Sequence, residues 1–220
     1  MIIAIDGPAA SGKSTTAIGV AKRLGITYLD TGAMYRAVTF GLIENDIKFE
    51  DSSELDNYLK QIKLKLSETK SGVILNLDGR DISKEIRSSK VTANVSEVSA
   101  LKNVRESMVL IQRKMAKKND CILEGRDIGT VVFPNADFKF FLIADEKSRA
   151  KRRQNDLKIM GEKKSIESVI KDINKRDHKD STRKHSPLTK SEDAIIIDTS
   201  NLGINKVIDK IVNIVNKKGH

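Results

Sequence analysis

The first fifteen residues contain the feature that most constrains how this chain can fold. An apolar run at residues 1–5 leads into Gly7-Pro-Ala-Ala-Ser-Gly12-Lys13-Ser14, and a segment compatible with a helix follows. This G-x-x-x-x-G-K-S pattern between a strand and a helix is typical of a loop whose backbone N–H groups surround phosphate. The two glycines leave room for the backbone to close around the anion. The pattern therefore predicts a nucleoside triphosphate site, and it leaves the acceptor of the phosphate open.

The residues of this loop have separate predicted tasks. The Lys13 ammonium group would reach the β- and γ-phosphates, the following helix would offer its positive N-terminal end, and the Ser14 hydroxyl would bind Mg2+. The predicted donor site comprises Gly7, Pro8, Ala9, Ala10, Ser11, Gly12, Lys13, Ser14 and Thr15. The alternative is a glycine-rich turn that only caps a helix. It is disfavoured because the fixed positions and both flanking elements agree.

Composition limits the class of protein. With 220 residues, 39% of them hydrophobic and 32% charged, the chain has the length of one globular domain carrying insertions. No apolar run reaches the roughly 18 residues of a membrane span, and Asp6 interrupts the first apolar segment too early for a secretory signal. The single cysteine, Cys121, allows no internal disulfide, so we expect a reducing cytoplasm and a buried, unreactive thiol.

The net charge of +10 indicates an anionic partner, either nucleic acid or a small molecule. Basic residues recur in separate places, aromatic residues make up only 4% of the chain, and no RNP-like or helix-turn-helix signature accompanies them. Nucleic acid is therefore the less favoured alternative.

Alternating strand and helix patterns predict an α/β protein with a central parallel sheet. After the phosphate loop we expect a helix at 15–24 ending at Gly25, a strand at 26–30, a helix at 33–44 and a short helix within 46–60. Arg36 lies near the start of the second helix, off its apolar stripe. A solvent-exposed arginine is the alternative to a site residue there.

The middle of the chain departs from this alternation. Strand patterns at 62–68 and 73–77, a TKSG turn, an Asp78-Gly79 turn and the segment RDIS predict an antiparallel meander inserted on the main sheet. The Gly-Arg-Asp sequence at 79–81 falls in the hairpin turn and receives no site role. The helical pattern at 88–118 is long, so we predict two helices divided near residue 102, the second capped by Asn103.

Further buried strands are predicted at 121–127, 137–144 and 194–198, the last followed by an amphipathic helix at 204–217. The first of these strands ends in Gly125-Arg126-Asp127. Because the carboxyl ends of parallel strands meet at the binding crevice of an open sheet, Arg126 and Asp127 are candidate site residues.

Basic residues cluster on two polar helices expected at 145–158 and 165–184. The first carries Arg149, Lys151, Arg152 and Arg153, and the second carries Arg176, Asp180 and Arg183. Neighbouring guanidinium groups repel each other by roughly a few tenths of a kcal/mol per pair, and a bound anion would relieve the repulsion. A solvated basic surface is the alternative. His178, His185 and His220 show no ligand spacing.

A triphosphate site and a distant set of arginines suggest two anionic substrates. A switch GTPase is disfavoured because the sequence has no Asn-Lys-x-Asp tetrad and no clear Asp-x-x-Gly switch after a strand. Kinases of alcohols, such as the shikimate type, remain open, although an alcohol usually needs help in losing its proton. A nucleoside monophosphate attacks through an oxygen that is already anionic, so positioning, water exclusion and charge neutralisation suffice.

At this point the sequence resembles the bacterial cytidylate kinases along essentially its whole length. The resemblance is carried by DGPAASGKST, LDTGAMYRA, DGRDISKEIR, ANVSEVSALKNVR, EGRDIGTVVFPNA, SRAKRR and KRDHKDSTR. It implies a P-loop three-layer α/β fold with a core at 1–61, 119–148 and 185–220, a monophosphate-binding insertion at about 62–118 and a mobile basic lid at about 149–165. It also implies Mg2+- and ATP-dependent phosphorylation of CMP and dCMP by a monomer, with no nucleic-acid or membrane partner.

The resemblance further assigns the substrate site. Asp127 would accept a hydrogen bond from N4 of cytosine, while Ser96 and Arg105 would donate to N3 and O2. The other residues it implies are Arg36, Arg126 and Arg183 at the monophosphate, Arg176 and Asp180 near the phosphate and ribose hydroxyls, Thr31 in the substrate site, and Arg149 and Arg153 in the lid. Those expected to act in the transfer are Lys13, Arg126, Arg149, Arg153 and Arg183. Glu124 stands where a shorter acid would serve near Mg2+.

Overall fold

The structure, a computed structural model, describes residues 1–69, 72–117 and 119–218. The strands are β1 (Ile2–Asp6), β2 (Thr27–Asp30), β3 (Leu64–Thr69), β4 (Gly72–Leu77), β5 (Arg80–Asp81), β6 (Cys121–Gly125), β7 (Phe138–Ile143) and β8 (Ile195–Asp198). The helices are α1 (Lys13–Leu24), α2 (Thr31–Glu44), α3 (Ser53–Gln61), α4 (Ser89–Val98), α5 (Lys102–Ala116), α6 (Glu146–Ile159), α7 (Ile166–Thr182) and α8 (Ile204–Lys218). Short 3-10 and π-helical turns occur at Glu85–Arg87 and Ile128–Val132. Lys70 and Ser71 of the predicted TKSG turn, Lys118 and His220 lie outside the described residues.

The chain forms two compact units, and the first contains the described residues of Met1–Tyr28 and Lys118–His220. Its sheet has the strand order β2-β6-β1-β7-β8, and only the first half of β2 belongs to this unit. β1 pairs in parallel with β6 and β7, and β7 pairs in parallel with β8. The predicted α/β architecture with a central parallel sheet is confirmed.

The core of this unit surrounds β1, the middle strand of the sheet. Ile3 and Ile5 are completely buried, as expected of a parallel strand covered on both faces. Val20 of α1 joins Val207 and Ile211 of α8 in the same buried cluster. The continuous apolar run at the start of the chain is therefore the centre of the sheet, and it leads directly into the phosphate loop.

The second unit is Leu29–Lys117. β3, β4 and β5 form an antiparallel sheet in that order, with Leu66 opposite Leu75, so the predicted meander is confirmed. Asp78 and Gly79 form the tight turn between β4 and β5 with φ angles of 52° and 89°, the positive values that twisted hairpin turns require. Leu75 packs in one buried cluster with Met34 and other apolar residues of α2.

The second Gly-Arg-Asp sequence lies in this hairpin, as the sequence indicated. Arg80 donates to Glu44 at 2.8 Å, and its guanidinium lies 5.6 Å from the centroid of the Phe40 ring. Arg80 also lies 3.5 Å from Glu85 of the 3-10 turn, so it contacts α2 and this turn within its own unit.

Three predicted helix starts are wrong. α1 begins at Lys13 rather than at residue 15, and the other two differ for identifiable reasons. α2 begins at Thr31 rather than residue 33 because the Asp30 side chain caps it, accepting from the Ala33 amide at 2.7 Å. The division near residue 102 is confirmed, but Asn103 is not the cap of α5, which begins at Lys102. The side chain of Asp51 accepts from the amide of Asn103 at 3.1 Å, so an acid from a distant segment supplies the cap.

None of the described helices combines the length and the apolar character needed to cross a membrane.

Candidate active site

The phosphate loop has the backbone that its glycines predict. Gly7 has a φ of 149°, and a Cβ at this position would lie 2.2 Å from the carbonyl oxygen of Leu142. Gly12 has a φ of 90° and occupies the N-cap position of α1. Ala10 also takes a positive φ, 57°. The loop therefore turns sharply twice, and a side chain at residue 7 would collide with β7.

Lys13 is the first residue of α1 and is almost completely buried, at 5% exposure. Its Nζ donates to the carbonyl oxygen of Pro8 at 2.7 Å and lies 3.5 Å from the Ser11 hydroxyl. Burial lowers the pKa of Lys13 to about 7, and the neighbouring Arg126 charge acts in the same direction. The Lys13 Nζ thus lies within the phosphate loop, in contact with two of its residues.

Ser14 donates a hydrogen bond from its hydroxyl to Oε1 of Glu124 at 2.6 Å, although the two residues are 110 positions apart. The Tyr28 hydroxyl donates to the same oxygen at 3.3 Å. A hydroxyl and a carboxylate beside a phosphate loop are the oxygen donors that Mg2+ uses together with nucleotide phosphates. Among the described residues, no three His, Cys, Asp or Glu side chains are grouped in a way that suits a metal ion.

The strand register places Arg126 and Asp127 beside the phosphate loop. Asp6, which precedes Gly7, is paired with Gly125 at the parallel ends of β1 and β6. The segments that follow β1 and β6 therefore leave the sheet side by side. The first is the phosphate loop, and the second begins with Arg126 and Asp127. The predicted position of these two residues at a strand end is confirmed.

Arg126 and Asp127 each form an ion pair with a residue of the α7 region. Arg126 Nε donates to Asp180 Oδ2 at 2.9 Å, and Arg176 Nε lies 4.0 Å from the same oxygen. Asp127 Oδ1 lies 3.7 Å from Arg183 Nη2, and each of the two side chains is only 5% exposed. The structure thus brings together all five residues that were predicted in this unit for the acceptor side.

Arg149 of α6 contacts the phosphate loop. Its Nη1 donates to the Ala9 carbonyl oxygen at 3.2 Å and forms an ion pair with Asp177. Asp177 in turn accepts from the Ala9 amide at 2.8 Å. Arg153 lies half-buried on the same helix. Among the described residues, the hydrogen bonds that connect α6 with the loop region come from Arg149 and Arg152 and not from Arg153.

Arg152, rather than Arg153, makes the second connection from α6 to the loop. Its guanidinium donates to the Thr199 hydroxyl at 3.0 Å and to the Thr199 carbonyl oxygen at 2.6 Å. The same hydroxyl lies 3.0 Å from the carbonyl oxygen of Ser11 and 3.1 Å from that of Ile143. Thr199, which follows β8 and is 3% exposed, therefore connects α6, the loop and β7.

The remaining predicted residues belong to the second unit. Thr31 is buried at the start of α2, and Arg36 Nη2 lies 3.8 Å from Asp30 Oδ2 with its side chain 23% exposed. Arg105 is 3% exposed, donates to the Ser99 carbonyl oxygen at 3.0 Å, and lies 5.3 Å from the centroid of the Tyr35 ring. Ser96, on α4, is half-buried.

Sequence reasoning gave no role to three groups of this site. In the sequence, Asp6 interrupts an apolar run, Tyr28 lies in a predicted strand, and Thr199 follows the strand predicted at 194–198. Asp6 and Tyr28 each form a hydrogen bond with a residue more than 50 positions away in the sequence. Thr199 forms hydrogen bonds with several distant residues at once. The one available signal was their position at or near strand ends, where functional groups collect in an open sheet.

The predicted burial of the Cys121 thiol is confirmed, and burial raises its pKa to about 11.

Fold and site together define a P-loop phosphotransferase of the α/β class. A shikimate kinase from Bacteroides thetaiotaomicron shares the fold, with a TM-score of 0.51 and 11% identity over 98% of both chains. More specifically, the chain belongs to the cytidylate kinase family, whose model matches residues 3–217. Cytidylate kinases from Fusobacterium nucleatum and Lactobacillus johnsonii are 45% and 46% identical to it over 99% of this chain, and the match covers 96% and 95% of those proteins.

Proposed function

We propose that this member of the cytidylate kinase family transfers the γ-phosphoryl group of ATP to CMP and also to dCMP. The observation that carries the proposal is the register of β1 and β6, which puts the phosphate loop beside Arg126 and Asp127. A donor site for a triphosphate and a buried acid with arginine partners therefore lie at one end of one sheet. This is the arrangement that a phosphoryl transfer between two nucleotides needs.

On the donor side, the amides of Gly7–Ser14 would surround the ATP phosphates and Lys13 would bind their β- and γ-oxygens. Ser14 and Glu124, 2.6 Å apart, are the residues that would hold Mg2+. The ion would neutralise charge on the phosphate oxygens. Arg149 supports the loop at Ala9, and we assign residues 149–165 to a lid that would bring Arg149 and Arg153 to the triphosphate.

On the acceptor side, we assign the monophosphate to Arg36, Arg126 and Arg183, and place Thr31 in the same substrate site. A phosphate oxygen is the nucleophile, so the site needs no strong base. The arginines screen the repulsion between two anionic substrates and hold the attacking oxygen in line. Asp180, held by Arg126 and Arg176, has a carboxylate that would accept from a ribose hydroxyl.

Selection of cytosine is assigned to hydrogen bonds with its polar edge. Asp127 would accept from the N4 amino group, whereas Ser96 and Arg105 would donate to N3 and O2. Uracil presents a carbonyl in place of that amino group and would leave the buried Asp127 carboxylate facing an acceptor. The burial of Asp127 at 4% exposure supports this assignment, because little water could reach it to compensate.

The proposal is tested by measuring ADP formation with Mg-ATP and one acceptor at a time. The acceptors are CMP, dCMP, UMP, AMP and shikimate, with single-stranded DNA and RNA added separately as effectors. We expect turnover with CMP and dCMP well above the others. Shikimate turnover without CMP turnover would point to another kinase of this fold, and stimulation by nucleic acid alone would indicate a nucleic-acid-dependent ATPase. Sedimentation of the same preparation tests the expectation of a monomer.

A further inference from the structure

Asp6 is the last residue of β1 and is 5% exposed, immediately before the phosphate loop. Its Oδ1 accepts from the backbone amide of Ile128 at 2.9 Å, and its Oδ2 accepts from the amide of Gly129 at 2.8 Å. Both oxygens of one buried carboxylate are thus committed to two successive amides of the segment that follows Asp127. No step of the proposed transfer uses this carboxylate.

Asp127 begins the short π-helical turn Ile128–Val132, but its own side chain does not cap that turn. Its carboxylate lies instead 3.7 Å from Arg183. An aspartate at the start of a helical turn ordinarily satisfies the first amides with its own oxygens. Here Asp6, at the end of the neighbouring strand β1, accepts from the Ile128 and Gly129 amides, so the Asp127 carboxylate does not occupy them.

We propose that Asp6 is a positioning residue for cytosine selection, because it holds the Ile128 and Gly129 amides and thereby fixes the direction of the Asp127 carboxylate. The inference rests on the proposed role of Asp127 in recognising the base. It adds that selection of the acceptor depends on the residue directly before the donor loop. A single carboxylate connects the start of that loop to the acceptor residue.

The close approach of Asp6 does not require glycine at residue 129. A Cβ at residue 129 would lie 3.5 Å from Asp6 Oδ2 and 3.2 Å from Cδ of Lys139. The first distance is an ordinary van der Waals contact, and the second asks only for a small shift of the Lys139 side chain. Gly129→Ala is therefore expected to keep both hydrogen bonds to Asp6.

The test is the ratio of kcat/KM for CMP to kcat/KM for UMP in Asp6→Asn. Asparagine offers one acceptor oxygen where aspartate offers two, so one of the two amides would face an N–H2 group. We expect the ratio to fall by about 10-fold or more while the Kd of ATP changes by less than about 3-fold. A merely structural role would lower kcat/KM for both nucleotides together and leave the ratio unchanged.

Three further variants make the result decisive. Asp127→Asn should lose the CMP preference by itself, and adding Asp6→Asn to it should change the ratio little, because both act through one carboxylate. Ile5→Val removes a buried methyl group from the same strand and should preserve the ratio. A fall in the ratio of Ile5→Val as large as that of Asp6→Asn would overturn the inference.

The failures of the inference and of the proposed function are distinguishable. If Asp127→Asn loses the preference and Asp6→Asn keeps it, the role of Asp6 is wrong and that of Asp127 stands. If Asp127→Asn keeps the preference, the assignment of Asp127 fails and takes the inference with it. Should Asp6→Asn not fold, Asp6→Glu replaces it, because its extra methylene shifts both oxygens from the Ile128 and Gly129 amides, and an unchanged ratio there overturns the role of Asp6.

Discussion

The hydroxyl of Ser14 donates to Oε1 of Glu124 at 2.6 Å, which joins the first turn of α1 to the buried strand β6. The glutamate reaches this position with one methylene more than an aspartate would have. Tyr28, at 3.3 Å from the same oxygen, holds the longer side chain from the other direction. The pair therefore presents a hydroxyl and a carboxylate oxygen together beside Lys13.

Glu124→Gln should raise the Mg2+ concentration needed for half-maximal activity. The neutral amide gives up the charge that attracts the ion, and removing a metal-supporting group typically costs about 10- to 100-fold in affinity or activity. The measurement is a Mg2+ titration of ADP formation at fixed ATP. Tyr28→Phe is the matched control, since it removes only the weaker hydrogen bond and should shift the midpoint by less than about 3-fold. An unchanged midpoint in Glu124→Gln would remove Glu124 from the metal site.

Binding of ATP near pH 8 should be accompanied by proton uptake at Lys13. Burial lowers the pKa of Lys13 to about 7, so much of it is neutral at that pH, and phosphate oxygens would stabilise the charged form. Calorimetry in buffers of different ionisation enthalpy measures the uptake. Lys13→Met should abolish it, whereas Lys22→Met, at an exposed position on the same helix, should not.

The lowered pKa of Lys13 also predicts how the free energy of unfolding depends on pH. A lysine whose pKa falls from 10.5 unfolded to about 7 folded binds more protons in the unfolded state between these values. Its contribution to the free energy of unfolding therefore rises with pH from about 7 to about 10.5 and is unfavourable below that window. Urea unfolding across this range should show a smaller rise in Lys13→Met than in the parent chain. Equal slopes would contradict the neutral lysine.

Asp127→Ala should lose CMP turnover far more than ATP affinity. Removing the acceptor for N4 leaves a cytosine amino group without its partner, which costs about 1 to 3 kcal/mol, or roughly 5- to 150-fold in kcat/KM. Lys13→Ala should chiefly slow the transfer step. The measurements are steady-state kinetics with each nucleotide varied and equilibrium binding of ATP. Normal CMP turnover in Asp127→Ala would refute the cytosine assignment.

The sequence was sufficient for the parts of this molecule that depend on local pattern. The phosphate loop, the meander and the strand that ends before Arg126 follow from glycine spacing, alternation and apolar runs. It failed where a distant side chain replaces a local one: Asp51 caps α5 in place of Asn103, and Asp6 occupies the amides that Asp127 would otherwise have capped. Such contacts join residues tens to more than a hundred positions apart, and their pairing is decided by the tertiary fold rather than by spacing in the sequence.

Gly7→Ala should be far more damaging than Gly25→Ala, although both glycines have positive φ. Gly25 ends α1 with a φ of 66° and has no atom within 4 Å of the place of a Cβ, so alanine there costs only the backbone strain, about 1 kcal/mol. At Gly7 the φ is 149° and the Cβ would lie 2.2 Å from the Leu142 carbonyl oxygen, which belongs to β7 and cannot withdraw without breaking the sheet. We expect a loss of about 3 kcal/mol or more in unfolding free energy, together with loss of ATP binding. Urea unfolding of both variants checks this comparison. Equal losses of unfolding free energy would contradict it, because they would mean that the loop can move away from β7 to accommodate a Cβ at residue 7.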